Sequence, residues 1–201
     1  KKELKTADDF KGLKYRTVGL AADLMREMGA AVTILAGGEI VPALERGVID
    51  GAEFNNPSSD SILGFQDVAK VYMLQSYHQA AESFELLFNK TKFDALAPEL
   101  KAMVKFAAES ASSDMNWKAL DRYSKDIEAL RAKGVNVVST PEAILKAQLA
   151  AWDKVLEKLG GESAFFKKVV DSQKDWVKRT VSYQRLNEPS RDLAFNHFFK
   201  S

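Results

Sequence analysis

Residues 13–54, LKYRTVGLAADLMREMGAAVTILAGGEIVPALERGVIDGAEF, are the stretch that decides the predicted fold. Short runs of apolar and β-branched residues alternate there with segments of helical periodicity. The predicted strands are 13–19, 31–35 and 48–54, and the predicted helices are 20–30 and 40–47. Gly29 and Gly47 are typical stop signals after a helix. The order strand, helix, strand, helix, strand predicts a parallel sheet in an α/β fold.

The remainder of the chain becomes increasingly helical. A helix at 62–70 and a strand at 71–77 continue the alternation, and SFELLFNK (83–90) has a weak strand pattern. Residues 98–133 lack Gly and have no Pro after the first residue, so one long helix, or two in line, is predicted. The pattern then predicts a strand at 135–140, a helix at 141–161 and a helical tail over 163–201. The long helix exceeds what a crossover in one compact domain needs, and we expect it to run between two lobes.

The composition is that of an ordinary globular protein, with 46% hydrophobic and 28% charged residues among 201. Because the net charge is only +1, nothing indicates a nucleic-acid or membrane-surface partner. The absence of Cys excludes disulfides, thiolate catalysis and Cys-based metal sites. No apolar run approaches the ~18–20 residues of a membrane span, and no leader-like segment opens the sequence. We therefore expect a cytosolic protein, or a mature or truncated form whose leader has been removed.

The common catalytic motifs are missing from the sequence. It has no phosphate-binding loop, dinucleotide fingerprint, HExxH zinc motif or GxSxG nucleophile elbow. Its two His residues, His78 and His197, are far apart, and the paired glycines of LAGGEI (35–40) are interpreted as a turn. The sequence thus gives little support for an enzyme.

Polar residues follow several of the predicted parallel strands, where the sheet of an open α/β fold borders a ligand-binding crevice. Arg16 ends the first strand, and its planar guanidinium can hold a carboxylate through two parallel hydrogen bonds. A surface or interlobe salt bridge is the alternative role for Arg16. Tyr77 and His78 end a later strand and would point into the same crevice. Together these groups describe a pocket for a small organic anion.

Glu53 ends the third strand and is followed by Phe54, Asn55 and Asn56. A buried Glu is costly unless a cation compensates it, so its partner would be Arg16 or a metal ion. The alternative is an exposed strand end, with an Asx turn formed by NNPSSD (55–60) before a helix.

Two motifs resemble the solute-binding proteins of tripartite ATP-independent periplasmic (TRAP) transporters, the DctP-like family. The first is the strand GxKxR, and the second is GEhhxALxxGhhDGxE, where h is an apolar residue. The matching positions are Gly12, Lys14, Arg16, Gly38, Glu39, Ala43, Leu44, Gly47, Asp50, Gly51 and Glu53. The resemblance covers residues 8 to about 90 well and the helical remainder more loosely.

The resemblance implies a protein that closes around an organic acid and is not an enzyme. The resemblance implies that Arg16 holds the ligand carboxylate. The other ligand-binding residues that we expect are Glu53, Phe54, Asn55, Tyr77 and His78. The sequence looks closest to the subgroup that binds 2-oxo acids or hydroxy acids, often with Na⁺ or Ca²⁺. The metal ligands would be the Glu53 side chain and the backbone carbonyl of Phe54. Phe54 stands where Trp is more usual, and Thr17 where a longer amide side chain is expected.

The resemblance also implies a domain organisation. A periplasmic-binding-protein-like lobe, the second of two, is expected from residues 4–81 and 123–170, and 82–122 would return to a first lobe that is mostly absent. Residues 171–201 form the expected helical tail, in which 171–187 would support a homodimer. The expected partners are a small organic acid and the membrane subunits of a TRAP transporter in the periplasm.

Two other readings remain open on the residues alone. One is a small α/β enzyme that acts on a carboxylate substrate with Glu53 and His78 as acid and base. The other is an interaction module built on the long helices, without a ligand.

Overall fold

A computed structural model describes residues 2–79 and 83–199. The strands are β1 (Lys14–Arg16), β2 (Ala31–Thr33), β3 (Gly51–Ala52), β4 (Val71–Met73) and β5 (Asn136–Val138). The first helices are α1 (Leu20–Glu27), α2 (Ile40–Glu45), α3 (Pro57–Leu63), α4 (Phe65–Val68) and α5 (Lys90–Asp94). The longer helices and the last one are α6 (Pro98–Ala132), α7 (Glu142–Glu162), α8 (Ala164–Asn187) and α9 (Arg191–Phe198). Short 3₁₀ turns precede β1 at Ala7–Phe10 and α2 at Gly37–Glu39.

The strands pair in parallel, which confirms the predicted α/β fold with a parallel-rich sheet. One sheet has the order β2-β1-β3, with Arg16 opposite Thr33 on one side and Ala52 on the other. A second sheet pairs β4 with β5, with Tyr72 opposite Val137. The strands are shorter than predicted, since β2 ends at Thr33 and β4 at Met73.

The hydrophobic core lies where α1 and α2 cover the first sheet. Leu24 of α1 and Ile40 of α2 are 0% exposed, and Ile49, which leads into β3, is equally buried. Ile40, Leu44 and Ile49 belong to one cluster against which Phe54 and Phe65 pack. The core therefore supports the carboxyl ends of β1 and β3.

The two ends of α3 are each set by a single residue. Asn56 caps α3, since its side chain accepts a hydrogen bond from Ser59 N at 3.0 Å, and Pro57 occupies the first turn. Gly64 adopts φ 84°, a left-handed conformation that ends α3 and separates it from α4. The helix predicted at 62–70 is therefore two helices, and the first begins at Pro57. The Asx turn considered for NNPSSD is present as this cap.

The long predicted helix is one continuous element. Helix α6 runs from Pro98 to Ala132 and is followed by Gly134 at φ 78°. Leu130 is its one buried residue among those described, near the end that packs by β5, and Ser58 of α3 hydrogen-bonds Asp126. Met103 and Phe106, nearer its start, are 65% and 62% exposed. The helix is thus anchored through its C-terminal half.

The strand predicted at 83–90 is wrong. Residues 83–89 form no strand in the described chain, and Lys90 begins α5, which Asn89 caps through Lys92 N. Phe84, Leu87 and their apolar neighbours are exposed, with Leu87 at 86%. A strand pattern needs a neighbouring edge to supply hydrogen bonds, and the described residues provide none there.

The chain divides into two compact units, Lys1–Ala151 and Trp152–Ser201. The first holds both sheets. The second is helical, as predicted for the tail, and α8 and α9 contain no buried residue among those described. The lobe boundaries implied by the family resemblance are not tested by this division. Over 2–79 and 83–199, every helix is too short or too polar to cross a lipid bilayer.

Candidate functional site

The site is built around Arg16, the last residue of β1. Its side chain is 5% exposed, and its Nε donates to the carbonyl of Leu35, just after β2, at 2.9 Å. Its Nη1 donates to the carbonyl of Glu53 at 2.7 Å and to Glu53 Oε1 at 2.9 Å. Because Leu35 and Glu53 follow the two strands that flank β1, the guanidinium joins the carboxyl ends of all three. Arg16 Nη2 makes no hydrogen bond to the described residues.

Glu53 has a cationic partner, as a buried carboxylate requires. Its side chain is 9% exposed and pairs with Arg16 at 2.9 Å, so Arg16 is the partner among the two that the sequence left open. Its second oxygen, Oε2, lies 3.8 Å from His78 Nε2 and accepts no closer hydrogen bond from the residues described. One carboxylate oxygen of Glu53 is therefore hydrogen-bonded to Arg16, and the other faces His78.

His78 is held by the loop after β4 and by α7. Its Nδ1 lies 2.6 Å from Ser76 Oγ, and its backbone N donates to the same oxygen at 3.2 Å. Gln148 of α7 is 2% exposed, and its Nε2 donates to Ser76 Oγ at 2.9 Å. A continuous chain of polar contacts thus leads from Gln148 through Ser76 and His78 to Glu53.

Phe54 forms an aromatic side of the site. Its ring stacks on Phe65 with centroids 6.4 Å apart, and the Arg16 guanidinium carbon lies 5.9 Å from its centroid. A Cβ built on Gly37 would lie only 2.6 Å from a Phe54 ring carbon. A side chain at position 37 would therefore displace the Phe54 ring, whereas Gly37 lets the AGGE turn, which forms as predicted, approach it.

Asn55 and Tyr77 are each held by a hydrogen bond from the backbone N atom. Asn55 is exposed, and its backbone N donates to Asp60 Oδ1 at 3.4 Å. Tyr77 is 45% exposed, and its backbone N donates to Gln148 Oε1 at 2.8 Å. Arg16, Glu53, Phe54 and His78 are therefore brought together. The ligand-binding roles of all six predicted residues stay predictions.

Two further polar groups lie beside the site. Burial of the hydroxyl, followed by the negative charge of Glu53, raises the pKa of Tyr15, which therefore remains a neutral phenol. Thr17 is 0% exposed, and its Oγ1 has no hydrogen-bond partner among the described residues.

A cavity of about 640 Å³ lies beside this cluster. Glu53, Phe54, Asn55 and His78 line it, whereas Arg16 and Tyr77 do not. Residues of β3 and β4, such as Ala52 and Tyr72, also line it. The hydrogen-bonded strand ends at Arg16 define the site better than this space does, because they hold the charged groups.

The site offers a cation only part of a coordination shell. Among residues 2–79 and 83–199, no group of three or more His, Asp or Glu side chains could enclose a metal ion. Ca²⁺ takes about six to eight oxygen ligands. Glu53 Oε2 and the Phe54 carbonyl are oxygen donors of the right kind, so a bound ion would need further oxygens from a ligand or from other residues.

Gln148 and Ser76 were missed in the sequence. Gln148 occupies one helical face of α7 with Ile144, Ala151 and Val155, all of which are buried. A polar residue within such an apolar stripe needs a buried partner, and this is the signal that could have singled it out. The signal could not have named Ser76, because the two residues are 72 positions apart.

The chain matches the family DctP, bacterial extracellular solute-binding protein family 7, over residues 1–162. It is 31% identical over 203 residues to the monocarboxylate 2-oxoacid-binding periplasmic protein of Nostoc sp.. That alignment covers 100% of this chain and 54% of the relative, so the chain spans about half of the relative's length.

Solved structures give the same relationship. A TRAP solute-binding protein from Pseudoalteromonas atlantica, with bound sodium and pyruvate, matches with a TM-score of 0.85 and 26% identity over 99% of this chain and 60% of its own. One from Bordetella bronchiseptica, a mixed-occupancy dimer with calcium and picolinate in one site, matches with a TM-score of 0.88 and 26% identity. That match covers 98% of this chain and 57% of the other.

The resemblance inferred from GxKxR and GEhhxALxxGhhDGxE is therefore confirmed along most of the chain. Proteins of this family are transport solute-binding proteins, not enzymes, and these related structures hold small carboxylates together with sodium or calcium. The chain belongs to the DctP family of TRAP-transporter solute-binding proteins.

Proposed function

We propose that this chain captures a small 2-oxo or hydroxy monocarboxylate in the periplasm and presents it to the membrane subunits of a TRAP transporter. Arg16 anchors the ligand carboxylate. Glu53, Phe54, Asn55, Tyr77 and His78 complete the part of the binding surface that this chain supplies. An enzyme that uses Glu53 and His78 gains no comparable support, since one Glu53 oxygen is bound to Arg16.

The observation that carries the proposal is the state of the Arg16 side chain. Three hydrogen bonds from Nε and Nη1 fix the guanidinium of a residue that is 5% exposed, while Nη2 makes none to the described residues. A fixed, charged donor at the carboxyl ends of parallel strands suits an incoming carboxylate. The 2-oxoacid-binding relative and the pyruvate-bound structure support a 2-oxo acid as the ligand.

A Na⁺ or Ca²⁺ ion is part of the proposal. Glu53 Oε2 and the Phe54 carbonyl would hold it, and the ligand would supply further oxygens. The ion would add positive charge beside the second carboxylate oxygen of Glu53, which is the oxygen not bound to Arg16.

Replacing Arg16 in the complete gene product tests the anchor. Two charge-assisted hydrogen bonds contribute about 1.5–3 kcal/mol each, so Arg16→Met combined with Glu53→Gln should bind pyruvate at least about 100-fold more weakly in calorimetry than Glu53→Gln alone. The double variant avoids leaving Glu53 buried and unpaired. Arg16→Lys keeps the charge but not the planar fork, and it should give an intermediate affinity.

The control is Arg26→Met, which removes a half-exposed Arg whose ion-pair partner within 2–79 and 83–199 is Asp23 on α1. It should bind pyruvate like the unmodified protein. Unchanged affinity in a folded Arg16 variant would remove this residue from the role of anchor.

The C-terminal tail is proposed to form a homodimer. Phe165, Val169, Trp176 and Tyr183 share one face of α8, and their exposed fractions are 75%, 37%, 58% and 64%. A stripe of this kind is stabilised when a second copy covers it. The dimer of the Bordetella relative supports a second copy as the occupant.

Sedimentation of the complete gene product tests the dimer. Trp176→Glu should convert it to a monomer, because a charge would be buried in an apolar interface. Lys178→Glu, on the opposite face of α8, should leave the dimer intact. A gene product that is monomeric before any substitution would contradict the proposal.

The domain organisation is proposed from the same relationship. Residues 4–81 and 123–170 would form the second lobe, 82–122 would pack on the first, and 171–201 would form the tail. The exposure of Met103 and Phe106 on α6 supports a further partner surface for 82–122.

A further inference from the structure

The loop that carries His78 contains a hydroxyl whose hydrogen bonds can be assigned. Ser76 Oγ lies within hydrogen-bond distance of Gln148 Nε2 (2.9 Å), His78 backbone N (3.2 Å), His78 Nδ1 (2.6 Å) and Gln148 Oε1 (3.1 Å). A serine hydroxyl accepts two hydrogen bonds and donates one. These four contacts therefore restrict which nitrogen of His78 carries a proton.

The orientation of the Gln148 amide is fixed independently. The backbone N of Tyr77 can only donate, and it lies 2.8 Å from the Gln148 atom assigned as Oε1. That atom must be the oxygen, so the other, facing Ser76, is the NH₂ group. Both acceptor positions of Ser76 Oγ are then filled, one by Gln148 Nε2 and one by His78 N.

The single proton of Ser76 Oγ has one good acceptor left. His78 Nδ1 at 2.6 Å is closer than Gln148 Oε1 at 3.1 Å. If Nδ1 carried a proton, Ser76 Oγ would have to accept a third hydrogen bond. Ser76 therefore donates to Nδ1, and the proton of the neutral ring lies on Nε2, which faces Glu53 Oε2 at 3.8 Å.

We propose that Gln148 is a positioning residue that, through Ser76, fixes His78 as the Nε2–H tautomer, so that His78 offers the ligand a hydrogen-bond donor and is not a cation ligand. A metal-binding nitrogen needs a free lone pair, and Nε2–H has none. The ligand atom beside His78 is then an acceptor oxygen, such as a 2-oxo or carboxylate oxygen. This last step rests on the proposed function, whereas the tautomer does not.

Nitrogen NMR of ¹⁵N-His-labelled complete gene product, without ligand or metal, tests the tautomer. Spectra are recorded at a pH where the ring is neutral in each variant, and His78→Gln identifies the signals. The unprotonated ring nitrogen should be Nδ1. If it is Nε2 in the unmodified protein, the proposal is overturned without any variant.

Gln148→Glu should reverse the tautomer. The carboxylate that this change places at position 148 still accepts a hydrogen bond from Tyr77 N. It cannot donate to Ser76 Oγ, and it accepts a hydrogen bond from the Ser76 hydroxyl instead. Ser76 Oγ can then accept from His78 Nδ1–H, and Nε2 becomes the unprotonated nitrogen. Gln173→Glu, on the exposed surface of α8, is the matched control and should change nothing.

A second variant guards against misfolding of Gln148→Glu. Ser76→Ala removes the acceptor and donor beside Nδ1, so the two tautomers should both be populated. A spectrum that keeps Nδ1 alone unprotonated in folded Gln148→Glu or Ser76→Ala would contradict the positioning role.

Pyruvate calorimetry separates the donor role from the proposed function. Gln148→Glu should weaken binding about tenfold or more, as expected for loss of one hydrogen bond to a charged ligand. If the tautomer reverses and affinity stays unchanged, His78 does not donate to the ligand. If the proposed function is wrong, the unmodified protein should not bind pyruvate, or its affinity for pyruvate should not change when Arg16 is replaced.

Discussion

Helices α1 and α8 are both amphipathic, yet they reach opposite outcomes. Helix α1 has eight residues and buries Ala22, Leu24 and Met25, whereas α8 has 24 residues and buries none of those described. Helix α1 is followed closely by β2, which pairs with β1, whereas the described residues of the compact unit that holds α8 form no strand. An amphipathic pattern therefore specifies which face is apolar, but a covering partner is needed before that face stabilises the fold.

The largest expected effect comes from making the same Leu→Ala substitution in α1 and in α8. Leu24→Ala removes a side chain that is 0% exposed, and Leu186→Ala removes one in α8 that is 89% exposed. The first should lower the free energy of unfolding by about 2–5 kcal/mol. The second should change it by less than about 0.5 kcal/mol. Urea unfolding monitored by circular dichroism measures both, and equal losses would show that the tail is as tightly packed as the core.

A smaller effect concerns the two helix caps. Asn56 caps α3 through Ser59 N at 3.0 Å, and Ser163 caps α8 through Phe166 N at 3.2 Å. Asn56→Ala should lower the free energy of unfolding by about 1 kcal/mol. Ser163→Ala should mainly reduce hydrogen-exchange protection in the first turn of α8, because that helix opens without the core. A global loss for Ser163→Ala as large as that for Asn56→Ala would tie the tail to the cooperative core.

The smallest expected effect is a pH dependence of the free energy of unfolding that arises from Asp9, in the unit Lys1–Ala151. Backbone N–H groups of Lys5 and Thr6 donate to Asp9, together with the Lys2 side chain, and lower its pKa to about 2. Since the folded pKa lies below the ordinary value, the stabilisation is present above about pH 4 and is lost as the pH falls through about 2. Asp9→Asn should therefore destabilise the protein more at about pH 6 than at about pH 2.

Asp171 provides the matched control in the tail. Its ion-pair partner in the part of the chain that the structure describes is Lys167, one helical turn away, and both side chains are more than half exposed. Asp171→Asn should have nearly the same small effect on unfolding at both pH values. An Asp9→Asn effect that is equally independent of pH would show that the backbone hydrogen bonds do not hold the ionised carboxylate.

Local patterns predicted most of the fold because they report on neighbours in sequence. The strands of the first sheet, the stop at Gly29 and the helical character of residues 98–132 were all recognisable from periodicity and glycine positions, although one long helix and two in line remained alternatives. The strand expected at 83–90 failed because strand formation depends on a partner edge, which no local pattern contains. The split at Gly64 was missed because a single glycine can either interrupt a helix or be tolerated within it.

The candidate site was predictable where topology fixes it. Parallel strands bring Arg16 and Glu53 to one edge of the sheet, and their 2.9 Å ion pair follows from adjacent strands. Gln148 and Ser76 could not be joined in the same way, because their contact depends on how α7 packs against the loop after β4. Tertiary packing, not spacing, determines that pair.

Helix α6 has a mechanical consequence. Its contacts with α3 and β5 lie in its C-terminal half, and residues 98–114 extend beyond them for about 25 Å at 1.5 Å per residue. A rigid rod held at one end acts as a lever arm. A tilt of about 2° at the anchored part would displace the free end by about 1 Å over that length. Small adjustments near Ser58, a few residues from Glu53, would therefore be magnified at a distant surface.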